Sequence, residues 1–311
     1  MHAIGIDMSK RSFHAAFDET SVRQFQNTEE GIAEFIDALR GKDGDIIIGV
    51  EATGAYHLAF CVRVTGRGFD VRVINPLESH KVIQARSLRR VKTDRTDALA
   101  VRQAVLLGLG YRFTDTTEVI ALKTLVVERQ GLVAMCTALK QRQEAHAAKE
   151  AAAGFLHDSS ALVRAALRKE IRAIEMQFAR YEPETQSLLR TIPGVGALTA
   201  ATLVAFVGDI KRFSAPEKLA AYIGLDVRVH QSGTSIHGKG YITKRGNTFL
   251  RHTLWNAAFI ARQYNPGLGA YHRKKLAEGK HYFSAMCAVE RKLVHLIWAV
   301  WTRGTPYQER G

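Results

Sequence analysis

The sequence predicts an α/β chain with a mixed-sheet N-terminal domain, a long helical middle and a mostly α C-terminal domain. Three observations carry that prediction. Up to residue 107, strand-length apolar runs alternate with helical patterns. Residues 117 to about 190 then turn rich in Ala, Leu, Glu, Gln, Lys and Arg, with no proline before Pro183. From Thr191 onward helical periodicity returns, broken by a polar, Gly-rich and basic stretch from Gly224 to Arg245.

Residues 2 to 7 read as a first strand, and residues 11 to 17 and 21 to 26 as two more strands of a meander. Asn27-Thr28-Glu29-Glu30 has the form of a helix start, followed by Ile32, Phe35, Ile36 and Leu39 at helical spacing. Gly41 to Gly44 is a turn. Ile46-Ile47-Ile48-Gly49-Val50 is a β-branched run of the kind that lies buried on both faces of a sheet. A helix ends near Gly66-Arg67-Gly68, and Val71 to Ile74 is a short strand closed by Asn75-Pro76. A basic segment leads to Lys92, and residues 93 to 107 read as a helix. Three antiparallel strands followed by two helix-linked parallel strands is the order of a ribonuclease H-like fold. In the middle region, Leu122, Leu125, Leu132, Cys136 and Leu139 recur at helical spacing, as do Leu162, Ile171, Ile174 and Phe178. Gly154 and His157-Asp158-Ser159 mark a turn between two long helices, which pair within the chain or form a coiled coil between chains. Further helices are expected from Ala197 to Val207, over 216–222, 247–263 and 283–302. The domain limits read as 1–112, 113–188 and 189–311.

Lys and Arg number 44 against 30 Asp and Glu, a formal net charge of +14. That surplus favours a polyanionic partner, nucleic acid before an anionic membrane surface. Cys61, Cys136 and Cys287 have no metal-ligand spacing and suggest free thiols rather than structural zinc. The N-terminus lacks the basic flank and apolar stretch of a secretion signal, and no apolar run reaches bilayer length. The expectation is a soluble, cytoplasmic protein with no membrane partner.

Four acids carry the chemistry. Asp7 closes the first strand, and Glu51 closes the buried strand in Val50-Glu51-Ala52-Thr53-Gly54. Sites gather at the carboxyl ends of parallel strands. Asp94 and Asp97, in Lys92-Thr93-Asp94-Arg95-Thr96-Asp97-Ala98, are three apart on a helix and share a face. Four gathered carboxylates repel unless cations neutralise them. Two Mg²⁺ ions roughly 4 Å apart are the usual arrangement for in-line phosphoryl transfer. Oxygen-only ligands favour Mg²⁺ or Mn²⁺. Taken singly, each acid is more simply a cap or a dipole-favoured first-turn residue; the expectation rests on their joint placement. Arg86, Arg89, Arg90 and Lys92, immediately upstream, are either a solvated charge run or contacts to a nucleic-acid backbone.

Gly-Ile-Asp at 5–7, Val-Glu-Ala-Thr-Gly-Ala-Tyr at 50–56, Val-Ile-Asn-Pro at 73–76 and Lys-Thr-Asp-Arg-Thr-Asp-Ala at 92–98 occur in order. Ile-Pro-Gly-Val-Gly at 192–196 and Ala-Tyr-Ile-Gly-Leu at 221–225 follow. The set resembles the insertion-sequence-110 family, transposases with an Asp-Glu-Asp-Asp site that include the Piv-type DNA invertases. The resemblance covers nearly the whole chain. It implies a RuvC-like N-terminal domain, a coiled-coil middle and a C-terminal transposase domain that contributes a nucleophilic serine. The matching residue is Ser232 in His230-Gln231-Ser232-Gly233-Thr234-Ser235. Family members commonly have Ser-Gly-Ser-Ser where this chain has Ser-Gly-Thr-Ser, which leaves Ser235 as the alternative. Lys239, Lys244, Arg245 and Arg251 surround that loop and would suit phosphate contacts. The resemblance also implies a structured guide (bridge) RNA beside element-end and target DNA, and a homo-oligomer, dimer or tetramer.

Ile192 to Gly196 resembles a helix-hairpin-helix turn whose amides reach a phosphate, or is simply a tight interhelical turn. Trp255, Trp298 and Trp301 lie in helical patterns and read as core rather than base-stacking platforms. His57 and His80, near the acids in sequence, read as structural or surface residues. Two alternatives to a recombinase remain. One is a structure-selective nuclease such as a junction resolvase, using the same acids with water. The other is a non-catalytic RNA-binding scaffold, against which the intact acid quartet argues.

Overall fold

The structure, a computed structural model, describes residues 1–41, 44–52, 56–86, 93–147, 153–226, 242–243 and 246–309. The chain forms two compact units, Met1–Thr117 and Glu118–Gly311.

The first unit is built on a mixed sheet in the order β3-β2-β1-β4-β5-β6. Strands β1 (His2–Met8), β2 (Ser12–Ala16) and β3 (Val22–Gln26) form the expected antiparallel meander. Strands β4 (Ile46–Glu51) and β5 (Asp70–Ile74) run parallel to β1. A two-residue strand, β6 (Tyr111–Arg112), adds an antiparallel edge that the sequence did not signal. Helix α1 (Glu29–Asp37) is capped by Thr28, whose side chain accepts from the Gly31 amide, and α2 (Tyr56–Thr65) links β4 to β5. Phe13, Phe25, Phe35 and Phe60 form one ring cluster between these helices and the sheet, with centroid separations of 5.0–5.7 Å. Helices α3 (Pro76–Arg86) and α4 (Asp94–Leu106) meet a second core containing Ala3, Ile74, Val82, Val101 and Val105.

Asn75-Pro76, expected as the close of a strand before a basic segment, also opens helix α3. The Asn75 side chain accepts from the Leu77 amide at 2.9 Å, and Glu78 accepts from the Asn75 amide at 3.2 Å. Proline at a first helical position loses no hydrogen bond, so the dipeptide starts a helix.

The second unit is helical. Helices α5 (Thr117–Ala147) and α6 (Ala153–Gln177) form an antiparallel pair within the chain. Arg129 binds Glu175 at 2.8 Å, and Arg164 donates to Gln143 at 2.6 Å. Gly154 and His157-Asp158-Ser159, expected in the turn between these helices, lie inside α6 instead. Beyond them come α7 (Pro183–Leu189), α8 (Ala197–Val207), α9 (Pro216–Ile223), α10 (Thr248–Tyr264), α11 (Pro266–Ala277) and α12 (Tyr282–Arg303). Helix α8 is buried along nearly its whole length and centres the core. Gly194, at φ 94°, lets the Ile192–Gly196 turn press on α10, where a Cβ would overlap Ala257 and Ala261. That packing supports the interhelical-turn reading. Trp298 donates to the Phe213 carbonyl at 3.0 Å, and Trp255 and Trp301 pack partly buried on the same core. Among the described residues, no helix is long and apolar enough to cross a membrane.

Candidate active site at the carboxyl edge of the sheet

The site begins with the two-residue repeat of a strand. In β1, Ile4, Ile6 and Met8 are buried on one side, while Ala3 belongs to the core under α4. A Cβ on Gly5 would overlap the Ala98 carbonyl and the Arg102 backbone, so Gly5 also lies beneath α4. Asp7 continues that parity and falls on the same side. In β4, Gly49 packs under Val101 and Val105, and Glu51, two residues on, shares its face. Gly5 and Gly49 are paired neighbours in the sheet. Together they make a floor without side chains on which α4 lies close to the backbone. Ile6 pairs with Val50, so Asp7 and Glu51 follow at adjoining strand ends.

Helix α4 starts where its cap dictates. Thr93 accepts from the Thr96 amide at 3.2 Å, and Thr96 accepts from the Thr93 amide at 2.9 Å. This reciprocal cap sets Asp94 and Asp97 in the first turn. Ala98 and Arg102, one turn and two turns further, sit over Gly5. The first turn therefore projects over the end of β1.

The electrostatics record the convergence. Burial pushes the Asp7 carboxyl up from 3.8 to about 6, and the negative charges of Asp97, Glu51 and Asp94 push in the same direction. His14 opposes this weakly. It sits directly across from Asp7 in the β1–β2 register, with Nδ1 3.6 Å from Asp94 Oδ2. The buried Ser79 of α3 donates to Glu51 Oε2 at 2.5 Å, orienting that carboxylate. Neither His14 nor Ser79 stands out in the sequence. The register of the meander would have found His14, and recognition of α3 would have exposed Ser79. His57 is buried on α2, and His80 is exposed beside Gln84.

Among the described residues, no three His, Cys, Asp or Glu side chains are drawn close enough to hold one ion. The donor set nevertheless fits a hard divalent cation. It is all oxygen, it comes from separate elements, and its mutual repulsion raises Asp7. An added positive charge would relieve that repulsion and let the acids close in.

Arg89, Arg90, Lys92, Ser232, Ser235, Lys239, Lys244 and Arg245 lie outside the described residues, as does the side chain of Arg86. The base of the Ser232 loop is described. Thr243 binds Asp226 through both its amide and its hydroxyl, and Gly246 packs on the end of α9. Arg251 turns its guanidinium to the carbonyls of Ile223 at 3.0 Å and Gly246 at 3.4 Å, tying the two sides of the loop together.

Two family models match the chain. One, described as a transposase of the DEDD IS110 type, covers residues 4–149. The other, described as the transposase IS116/IS110/IS902 family, covers residues 186–273. The pilin gene-inverting protein of Moraxella lacunata is 29% identical over 99% of this chain and 98% of its own length. The transposase for insertion sequence element IS1111A of Coxiella burnetii is 25% identical over 98% of this chain and 91% of its own length. An uncharacterized 43.6 kDa protein of the IS110 element from Streptomyces coelicolor is 34% identical over 47% of this chain and 36% of its own length. With both family models matched in order along it, this chain belongs to the IS110 family of transposases, DNA-cleaving enzymes whose partner is DNA.

Proposed function

We propose that this transposase is a site-specific recombinase whose RuvC-like domain (residues 1–112) and C-terminal domain (residues 189–311) share one composite active site. Residues 113–188 are the helical connection between them. Asp7, Glu51, Asp94 and Asp97 would hold Mg²⁺ or Mn²⁺. The observation that carries this reading is geometric: the paired Gly5 and Gly49 seat α4 on the two strands that end in Asp7 and Glu51, and the first turn of α4 carries Asp94 and Asp97 over that edge. When bound, the ions would supply charge neutralisation and Lewis-acid activation for phosphoryl transfer. The chain's own residues do the positioning. Ser79 holds Glu51, the Thr93–Thr96 cap sets Asp94 and Asp97, and the glycine floor brings α4 down onto Asp7.

Ser232 attacks a DNA phosphorus atom through Oγ. Its proton passes to water, the Oγ–P bond of a serine–phosphate ester forms as the P–O bond to deoxyribose breaks, and the deoxyribose oxygen takes up a proton from water and leaves as a hydroxyl. The reverse attack by another strand's hydroxyl restores the serine and joins the new partners. Arg86, Arg89, Arg90, Lys92, Lys239, Lys244 and Arg245 hold phosphates, and Arg251 supports the serine loop from its base. Strand exchange between two sites requires several protomers, as a dimer or tetramer. A structured guide RNA selects the DNA sequences by base pairing, in keeping with a net charge of +14 that suits a load of both nucleic acids.

The test is recombination between two reporter plasmids in cells, one carrying the native element ends with their flanks and the other the target. Wild type recombines, and Ser232→Ala and Asp94→Asn at matched protein levels fall by at least about a hundredfold, the scale of losing a nucleophile or an essential charge. If Ser232→Ala recombines normally while Asp94→Asn fails, the nucleophile assignment is wrong and water or Ser235 takes its place.

A further inference from the structure

The second unit carries an exposed aromatic cluster that the composite site does not use. Phe283, at the start of α12, is 61% exposed although it is among the most apolar side chains. It stacks on Trp255 of α10 at 6.0 Å and 25°, and on His281 at 5.6 Å and 24°. Tyr282 meets Phe283 edge-on at 5.7 Å, and His272 of α11 closes on Tyr282. One turn along α10 from Trp255, Phe259 is 38% exposed, with the Arg262 guanidinium 4.4 Å from its ring centre and 6.0 Å from that of Tyr282. An exposed ring cluster of this kind marks a binding surface.

Charge says which kind. Residues 251–283 hold six Lys and Arg but one acid, Glu278. Glu278 is taken by Lys275 at 2.8 Å. Arg273, Lys280 and His281 are exposed, the last of them stacked on Phe283. A purely apolar partner would leave these cations uncompensated. A duplex would satisfy the cations and hide its base faces from the rings. An unpaired strand offers both a phosphate backbone and open π-faces, the combination that stacking platforms bind.

We propose that the Trp255–Phe283–His281 stack and Arg262 form a platform for the unpaired bases of a single DNA strand, such as one freed at a recombining end. Trp255 then serves both the core and the surface. The inference needs DNA as partner but not the carboxylate chemistry, so the two can fail separately.

The test is fluorescence anisotropy of the full chain with a labelled oligothymidylate, without divalent cations. A duplex of equal length and an oligouridylate serve as the other arms. Phe283→Ala weakens oligothymidylate binding about tenfold, the loss expected for one stacked base. Phe283→Trp and the remote Gly131→Ala stay within about twofold of wild type, and duplex affinity stays within about twofold throughout. Phe259→Ala gives a second, independent loss on the single strand should Phe283→Ala lower the unfolding temperature. The proposal is overturned if neither alanine variant weakens the single strand, if duplex binding falls equally, or if only oligouridylate binding falls, which would make the platform an RNA site.

Discussion

At the scale of single residues, two shielded carboxyls keep their protons beyond the ordinary range, burial leading in both and neighbouring acids adding to it in one. Asp7 is raised to about 6 by burial and by three acidic neighbours. Its native state holds a proton more tightly than the unfolded chain, so its stability contribution is present at low pH and lost as pH rises from 3.8 through 6. Asp7→Asn therefore stabilises the protein in EDTA at pH 7.5 by about 1–2 kcal/mol, after allowance for the water that reaches a half-buried group. The gain shrinks toward pH 5, while recombination is abolished. Denaturant unfolding at the two pH values measures it, and an unchanged midpoint at pH 7.5 would remove the case for crowded acids. For Glu290 on α12, no acidic neighbour contributes among the described residues. Burial alone lifts it from 4.5 to about 8 against the pull of Arg251, and among the described residues its Oε1 has no hydrogen-bond partner. The same sign applies: stability falls as pH rises from 4.5 to 8. Glu290→Gln flattens that slope and adds on the order of 2 kcal/mol at pH 8.5, visible as a crossing of the two stability–pH curves.

At the scale of elements, placement of the site depends on how closely α4 can approach the sheet. A methyl group at Gly5 would meet backbone atoms of Ala98 and Arg102, which cannot swing aside as a side chain could. Gly5→Ala costs about 1–3 kcal/mol as overpacking and lifts Asp94 and Asp97 away from Asp7. Recombination is lost, although none of the four acids is touched. Gly131 on α5 is the contrasting case, exposed and with nothing near an added Cβ. Gly131→Ala stabilises by about 0.5–1 kcal/mol through helix propensity and leaves recombination unchanged. Thermal melts with the plasmid assay check both. If Gly5→Ala melts and recombines as wild type does, α4 is not held where the glycine floor suggests.

At the scale of the whole molecule, charge governs encounter with DNA. With a net charge of +14, affinity for arbitrary duplex falls by on the order of a thousandfold between about 50 and 200 mM salt. Asp94→Asn leaves that salt slope unchanged, because it alters an acid at the carboxyl edge of the sheet rather than the count of phosphate contacts. A filter-binding or anisotropy series at several salt concentrations measures the slope. A flat dependence would mean that the basic residues are spent on internal pairs rather than on phosphates.

What the sequence determined by itself was local. Strand and helix periodicity placed the meander, the parallel strands and α4, and with them Asp7, Glu51, Asp94 and Asp97 at element ends. Ordered motifs carried the family. Two of the helices it hid, α3 and α11, both begin at the proline of an Asn-Pro, a turn signal in isolation. In each the asparagine side chain accepts from an amide of the first turn, Leu77 at 2.9 Å and Leu268 at 3.0 Å, so the same dipeptide begins a helix. Only the tertiary structure decided the rest. His14 reaches Asp94 through strand register, Ser79 reaches Glu51 across the β4–α3 gap, and Phe283 surfaces beside Trp255 because two distant helices meet. Propensity and spacing act over a few residues, whereas a carboxylate's charge state and a ring's exposure are set by whatever the fold brings from elsewhere in the chain.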